Sequence, residues 1–306
     1  AMFVRYAPPV FTTSLGSRSK RRLAQVLTAS VAMSVAAGLT VAAPTASAST
    51  AAGQVVGAAP TAGQVRTAPE TNKRKRYKPR AGAHFNTPRE GARQYVIERE
   101  IIGAINHAIK GTAIRMSMFS FDRMSVADAL VRAKRRGVSV QVLVNNHEMT
   151  AAQAKLKRVL GNNRNKKSFW FQCTSSCRGQ GDVNHSKFVL FRKAGGANFT
   201  TMVGSMNMKT NGTDNQFNDL YVVNGPKKLY YFYNTIFNQM VKDKPANPMY
   251  VSKAFSNGRF WVHVLPFPRP PRGTPKTRYS VGKDPINKIL RPIKCTGAKT
   301  PSKRTA

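Results

Sequence analysis

The chain has 306 residues, with 50 Lys and Arg against 12 Asp and Glu, a formal net charge of +38. That length holds one large folded domain or two small ones. The charge excludes a cationic partner class and points to anionic ones: nucleic acid, anionic lipid headgroups or wall polymers.

The charge is uneven. Residues 73–80, KRKRYKPR, carry six basic residues in eight, and residues 266–306 carry eleven with one acid, Asp284. Residues 85–265 hold 27 basic and ten acidic side chains, so the central part is basic but less extreme. Much of the excess lies on the flanks, as solvated tails or as anion-binding arms.

From the N-terminus, RSKRR (18–22) is a positive stretch followed by the apolar, small-residue run LAQVLTASVAMSVAAGLTVAA, and Ala46-Ser47-Ala48 offers a cleavage site. This order predicts a secretory signal peptide over 1–48, cleaved after Ala48, in place of the membrane anchor that the run's length would also permit. The protein is expected to be secreted. Residues 49–83, rich in Ala, Thr and Pro and then basic, read as a disordered linker.

A folded domain is expected over 84–250. In TPRE, Thr87 can cap a helix, Pro88 suits its first turn and Glu90 completes a capping box. Ile97, Ile101, Ile105 and Ile109 then recur at helical spacing. TAIRMSMFSF (112–121) reads as a strand. SVADALVRAKRRG reads as a helix capped by Ser125 and stopped at Gly137. VSVQVLVNN (138–146) is a second strand and TAAQAKLKRVLG (150–161) a second crossover helix. SFWFQC, KFVLFRK, FTTMVGSM and NDLYVV are four further strands, and a last helix spans about 226–244. Alternating strands and helices followed by consecutive strands predict an α/β fold, a mixed sheet with helices on both faces. Residues 251–306 read as a basic, Pro- and Lys-rich extension. Of the three cysteines, Cys173 and Cys177 lie four apart in a loop where a small disulfide can close. Cys295 is left over, as a free thiol or for another chain. With no matching histidine pair, a zinc site is not expected.

The chemistry concentrates in NHSKFVLF (184–191). His185 and Lys187 are two apart, so on a strand they share a face. GSMN (204–207) closes the next strand, with Ser205 and Asn207 again two apart. An imidazole, an ammonium, a hydroxyl and a carboxamide on one rim suit phosphoryl transfer: the imidazole attacks phosphorus while Lys187 and Asn207 hold the non-bridging oxygens. Asp122, Asp128, Asp182, Asp214 and Asp219 show no two-metal spacing, so no metal or other cofactor is required. Phe169, Trp170, Phe171, Phe188 and Phe191 near the motif are expected mostly in the core, and His107, beside Ile105 and Ile109, is expected to be structural.

H-x-K, a strand, a short turn and G-S-x-N together resemble the phospholipase D superfamily, over about residues 84–250. The resemblance implies a phospholipase D-like α/β/α sandwich and a phosphohistidine intermediate. It makes His185 the nucleophile or acid, Lys187 and Asn207 the phosphate ligands and Ser205 a supporting donor. Two positions depart from the family pattern. The acid expected five residues after Lys187 is Arg192, and the carboxylate expected behind the histidine falls in NQFNDLYVV, with Asn218 and Asp219 as candidates. The family's second histidine is also missing, since none of His84, His107, His147 and His263 has a lysine two residues on. The resemblance therefore implies either a homodimer with one motif per chain or half of a two-motif enzyme. The function expected is a metal-independent phosphodiesterase (a hydrolase) acting on phospholipid headgroups at a membrane surface. The alternatives are an endonuclease of the same superfamily acting on DNA or RNA, and an inactive anion-binding half-enzyme.

Overall fold

The computed structural model describes residues 2–6, 76–180, 183–258 and 260–265. The expected signal peptide core and cleavage site, most of the linker, Cys295 and the extension beyond residue 265 lie outside the described residues. All the described residues belong to one unit of the chain.

In chain order the elements are β1 (Met2–Tyr6), β2 (Gly82–Phe85), a 3-10 turn (Gly91–Tyr95), α1 (Val96–Asn106), β3 (Ala113–Met118), α2 (Met124–Arg135), β4 (Ser139–Asn145) and α3 (Ala151–Leu160). There follow β5 (Phe169–Cys173), β6 (Phe188–Ala194), β7 (Ala197–Gly204), the short α4 (Thr210–Asp214), β8 (Asp219–Val223), α5 (Lys227–Val241), β9 (Val251–Phe255) and β10 (Phe260–Val264). Seven strands form one mixed sheet in the order β2-β8-β7-β6-β3-β4-β5. β3, β4 and β5 run parallel, and β6, β7, β8 and β2 continue the sheet antiparallel. β1, β10 and β9 make a separate three-stranded antiparallel sheet.

Helices cover both faces, as the alternation of elements predicts. On one face Ile97, Ile101 and Ile105 of α1, Leu130 of α2 and Leu156 of α3 pack on Ile114, Met116, Val140, Val189 and Met202. On the other, Tyr230, Tyr233 and Phe237 of α5 pack with Phe188, Leu190 and Phe169, together with Phe255, Phe260 and Val262 of the small sheet. Phe169, Trp170, Phe188 and Phe191 are buried, as the alternation of strand positions predicts, while Phe171 is half-buried.

The first helix starts later than its capping signals suggest. Arg89 and Gly91 adopt positive φ (61° and 48°), which an α-helix cannot include, so the chain makes a 3-10 turn before Val96. Glu90 stands at the cap of that turn with its carboxylate paired to Arg93 at 3.1 Å and no capping bond, and Ile109 lies beyond the helix end at Asn106. Ser125 is likewise not a cap: its hydroxyl donates to the Glu98 carboxylate. Thr150 does cap α3, accepting from Gln153 N at 3.2 Å.

The folded unit exceeds the expected 84–250 at both ends. At the front, β2 begins at Gly82, Arg80 pairs with the buried Glu100 at 3.0 Å, and Tyr77 stacks on His107 with ring centroids 3.9 Å apart and 12° between planes. Tyr77 O also accepts from Gly196 N at 2.8 Å. A Cβ added at Gly103 would lie 2.8 Å from the Tyr77 hydroxyl, so this glycine makes the room for the ring. His107 is structural here, its Nδ1 2.7 Å from Gly103 O. At the back, β9 and β10 add Phe255, Phe260, Val262 and Val264 to the core, because five-residue strands with inward apolar positions pack where composition alone reads as tail.

Tyr77 therefore clasps the end of the basic KRKRYKPR stretch to α1. Tyr77→Ala is expected to lower unfolding stability by about 2 kcal/mol, and Gly103→Ala by a similar amount, since its methyl group displaces the same ring. Denaturant titrations of both variants check this; an unchanged midpoint in each would leave the clasp without weight.

Candidate active site

The strand directions place the C-terminal ends of β2, β3, β4, β5 and β7 and the N-terminal ends of β6 and β8 along one edge of the large sheet. The sequence-predicted residues gather there. β6 begins only at Phe188, so His185 and Lys187 lie on the approach to the strand and not on the strand itself. His185 is exposed, whereas Lys187 is 7% exposed.

What fixes this approach is a buried ring of polar side chains. Asn184 Nδ2 donates to Ser117 Oγ on β3 at 3.1 Å, Ser117 Oγ lies 2.8 Å from Ser186 Oγ, and Ser186 Oγ donates to Asn184 Oδ1 at 2.5 Å. A fourth bond ties the segment to β4, where Asn145 Oδ1 accepts from Asn184 N at 2.8 Å. Each polar group so buried has a partner, which is the condition for burying it at all.

Asn145 also settles a tautomer. With its oxygen accepting from Asn184, its Nδ2 donates to His147 Nδ1 at 2.9 Å, so that nitrogen carries no proton. The proton is then on Nε2, 3.0 Å from Ser120 Oγ and 3.5 Å from Glu148 Oε1. Its ring stacks on Phe119 at 4.3 Å and 8°.

Phe119, just past β3, is the hub of the edge. His185 meets it edge to face, 5.0 Å between centroids at 62°, and Lys187 Nζ stands 5.5 Å from the ring centroid. The next residue, Ser120, donates its backbone N–H to Asn207 Oδ1 at 3.1 Å, leaving the Asn207 amide hydrogens as donors. The structure thus brings His185 and Lys187 to the Phe119 ring and ties Asn207 to the backbone of the residue after it.

Their charges are set by the same surroundings. Burial lowers the Lys187 ammonium to about 8, with its Nζ donating to His185 O at 3.0 Å. Desolvation first and the Lys187 charge second hold the His185 imidazole below its ordinary value. At neutral pH this keeps the imidazole a free base beside an ammonium, the pairing that a nucleophile and an oxyanion ligand require.

Ser205 and Asn218 are occupied with each other. Ser205 Oγ donates to Asn218 Oδ1 at 3.1 Å and accepts from Asp219 N at 3.0 Å. Asn218 Nδ2 donates to Gly212 O and Gln216 O at 3.0 and 3.2 Å. The Ser205 hydroxyl proton is therefore spent on Asn218, in place of the supporting contact expected of it. Both amide hydrogens of Asn218 are thus committed to backbone carbonyls, and the Asp219 backbone pairs with Ser205. Among the described residues no carboxylate bonds to the His185 ring. Gly204 explains the first letter of G-S-x-N: a Cβ there would lie 2.1 Å from Asp219 O, so β7 and β8 approach as only glycine allows.

Cys173 and Cys177 form a disulfide with Cα atoms 5.0 Å apart, closing the turn after β5 that leads toward His185. His84 (Nε2 2.8 Å from Arg80 O) and His263 (Nδ1 2.9 Å from the Tyr250 hydroxyl) stand outside this group. Among the described residues no three of His, Cys, Asp and Glu gather as a metal site. Sequence reasoning missed Phe119, Ser117, Asn145 and His147. Ser117 and Asn145 had a signal, as polar residues at inward positions of otherwise apolar strands, in RMSM and VLVN, whereas Phe119 and His147 had none.

The profile of the family described as "Cardiolipin synthase, PLD-like domain" matches residues 101–241, which contain the whole cluster. Similar solved structures include a phospholipase D family member, Nuc, from Salmonella typhimurium, 18% identical with a TM-score of 0.41, covering 53% of this chain and 94% of its own. NucT from Helicobacter pylori is 15% identical with a TM-score of 0.41, covering 53% and 96%. Polyphosphate kinase from Porphyromonas gingivalis is 16% identical with a TM-score of 0.35, covering 53% and 22%. No curated protein sequence matches the chain.

Gly204→Ala is expected to destabilise the fold by about 3 kcal/mol, because backbone, not a flexible side chain, meets the new methyl group. Ser205→Ala should cost only about 1 kcal/mol. Melting curves compare the two; equal effects would show that the close approach of β7 and β8 is dispensable.

Proposed function

The chain belongs to the phospholipase D superfamily through residues 101–241, and from that premise we propose that it hydrolyses phospholipid headgroup phosphodiesters through a phosphohistidine on His185. The His185 imidazole attacks phosphorus, the P–N bond forms and the P–O bond to the headgroup alcohol breaks, with a proton passing to the departing oxygen. Water then attacks the phosphohistidine, releasing phosphatidate and restoring the imidazole. Lys187 and the Asn207 amide hydrogens hold the non-bridging oxygens as charge develops on them.

The observation that carries the lipid reading is the clustering of exposed apolar side chains on the catalytic edge. Phe85 and Phe217 are 67% and 79% exposed, and Met124, Met149 and Val183 are exposed with them. These follow β2, β3 and β4 or precede β6 and β8, so they ring the His185 edge. Apolar tips around a basic site suit a phospholipid surface. An endonuclease is the second reading, favoured by the 27 basic against ten acidic residues of 85–265, which would track a phosphate backbone. Export by the N-terminal segment, as read from its sequence, would place the activity outside the cell.

Turnover of labelled phosphatidylcholine vesicles, beside single-stranded and duplex DNA, separates the readings. The lipid is expected to be cleaved, EDTA to leave the rate unchanged, and His185→Ala to abolish it. Cleavage of DNA alone would overturn the lipid reading, and EDTA loss restored by a divalent ion would overturn this role for Lys187. The ratio kcat/KM should rise with pH as the lowered His185 gives up its proton, then fall as Lys187 loses its own near about 8. Lys187→Arg should remove the alkaline fall.

One chain offers one such histidine, and His147 is committed through both nitrogens. A second copy, related by a two-fold axis at this edge, would supply the leaving-group acid from its own His185. On mixing with excess His185→Ala chains under exchange, activity per active chain should fall toward zero. Activity proportional to active chains would rule out a shared site.

A further inference from the structure

A second cationic cluster lies on the face of the sheet covered by α5. Arg115 on β3 is opposite Leu190 on β6, which is opposite Thr201 on β7, so these three share one face. Arg192, two residues from Leu190, joins the same face, with its guanidinium 4.1 Å from the Phe199 ring centroid. Above them α5 brings Tyr230, whose ring is 5.5 Å from Phe199, and Tyr233, whose ring is 5.5 Å from Phe188.

This layer has donors without acceptors. The Tyr230 hydroxyl is hydrogen-bonded with Arg115 and feels the charge of Arg192. Arg115 Nε, Thr201 Oγ1 and the Tyr233 hydroxyl are buried with no partner, Thr201 being 2% and Tyr233 0% exposed. The ion pairs among the described residues all engage other cations, so neither Arg115 nor Arg192 has a carboxylate. Water can satisfy a hydroxyl and hydrate the half-buried guanidinium groups, but it brings no negative charge to them. The first turn of α5 also lacks an acidic residue, so its positive end adds to the field. Position 192 is where the H-x-K pattern expects an acid, and a carboxylate there would have supplied the counter-charge that is missing.

We propose that Arg115, Arg192 and Tyr230, beside Thr201, form a second, non-catalytic oxyanion site, which takes a phosphate group, free or as the end of a phosphomonoester. The bound anion stands in for the missing carboxylate and ties β3, β6 and β7 to α5. Arg115 and Arg192 are half-buried and Tyr231 beside them is exposed, which gives the anion its access. The site is independent of whether His185 cleaves lipid or nucleic acid.

The test is thermal melting of the full chain against inorganic phosphate, with chloride at matched ionic strength as reference. Lys187→Met removes the ammonium of the catalytic edge and leaves the second site intact. In that background phosphate should still raise the midpoint saturably. Adding Arg192→Asp should weaken the apparent phosphate affinity at least about tenfold and raise the phosphate-free midpoint, because the new carboxylate pairs internally with Arg115. Arg192→Gln, which keeps the volume and removes only the charge, should weaken phosphate equally without the rise. Glycerol phosphate run in parallel separates the sources: equal affinity means that the site reads the phosphate alone, and tighter binding means a phosphomonoester. The proposal is overturned if the phosphate effect vanishes in Lys187→Met alone, or survives unchanged in both Arg192 variants.

Discussion

A lysine ammonium buried without a carboxylate is the constraint around which the catalytic edge is arranged. Lys187 could have been neutralised by an acid, but a salt bridge would leave its charge spent before any substrate arrived. The structure instead gives the ammonium a backbone carbonyl, that of His185, and the face of Phe119. Both are weak acceptors of charge, so the group stays cationic yet poorly satisfied, and a phosphate oxygen is its best available partner. Because the burial cost opposes folding, the segment that carries Lys187 must be held by something else. The ring of Ser117, Asn184 and Ser186, anchored to Asn145, does this with neutral groups that do not compete for the ammonium.

Phe119 links the parts that such an arrangement needs to keep in step. Its ring meets His185, Lys187 and His147, and the residue after it positions Asn207 through a backbone bond. His147 in turn is bonded to Asn145, which holds Asn184. Two routes therefore join β4 to the H-x-K segment, one through the backbone of Asn184 and one through stacked rings. A shift of any single strand end disturbs nucleophile, ammonium and amide together, as expected of a site built on rigid elements.

Much of this was legible in the sequence, and the parts that were not share a cause. Period-two and helical apolar patterns placed the six central strands and the main helices within a few residues, because those elements bury continuous faces such as Ile97, Ile101 and Ile105. The H-x-K and G-S-x-N spacings located the cluster because β6 and β7 form a tight hairpin in which Phe188 pairs with Val203. Elements defined by long-range partners were lost. β2 is four residues that make sense only against β8, and β9 and β10 only against the core at Phe188 and Tyr233. The same is true of Phe119, which reads as one more apolar residue until three side chains are seen around it. The capping signals at Thr87 and Ser125 misled because tertiary partners claimed the chain first: positive φ at Arg89 and Gly91, and Glu98 for Ser125.

The two departures from the family pattern act in the same electrostatic direction. Asn218, one of the two candidates for the group behind the histidine, is bonded to Ser205 and backbone carbonyls, and among the described residues His185 has a positive neighbour and no carboxylate bonded to its ring. Its neutral form is favoured throughout attack, and the imidazolium needed to protonate a leaving group is disfavoured on the same ring. A site tuned this way is a better nucleophile than acid. Arg192 likewise removes a negative charge from the α5 face and leaves Arg115 and Arg192 to be neutralised from outside. At both places a positive group stands without a carboxylate among the described residues, and the proposed partner is a phosphate group in each case. With His185 as the proposed nucleophile, the same lowered imidazole is poorly suited to protonate the leaving group, and the proposed shared site would take that acid from a second chain.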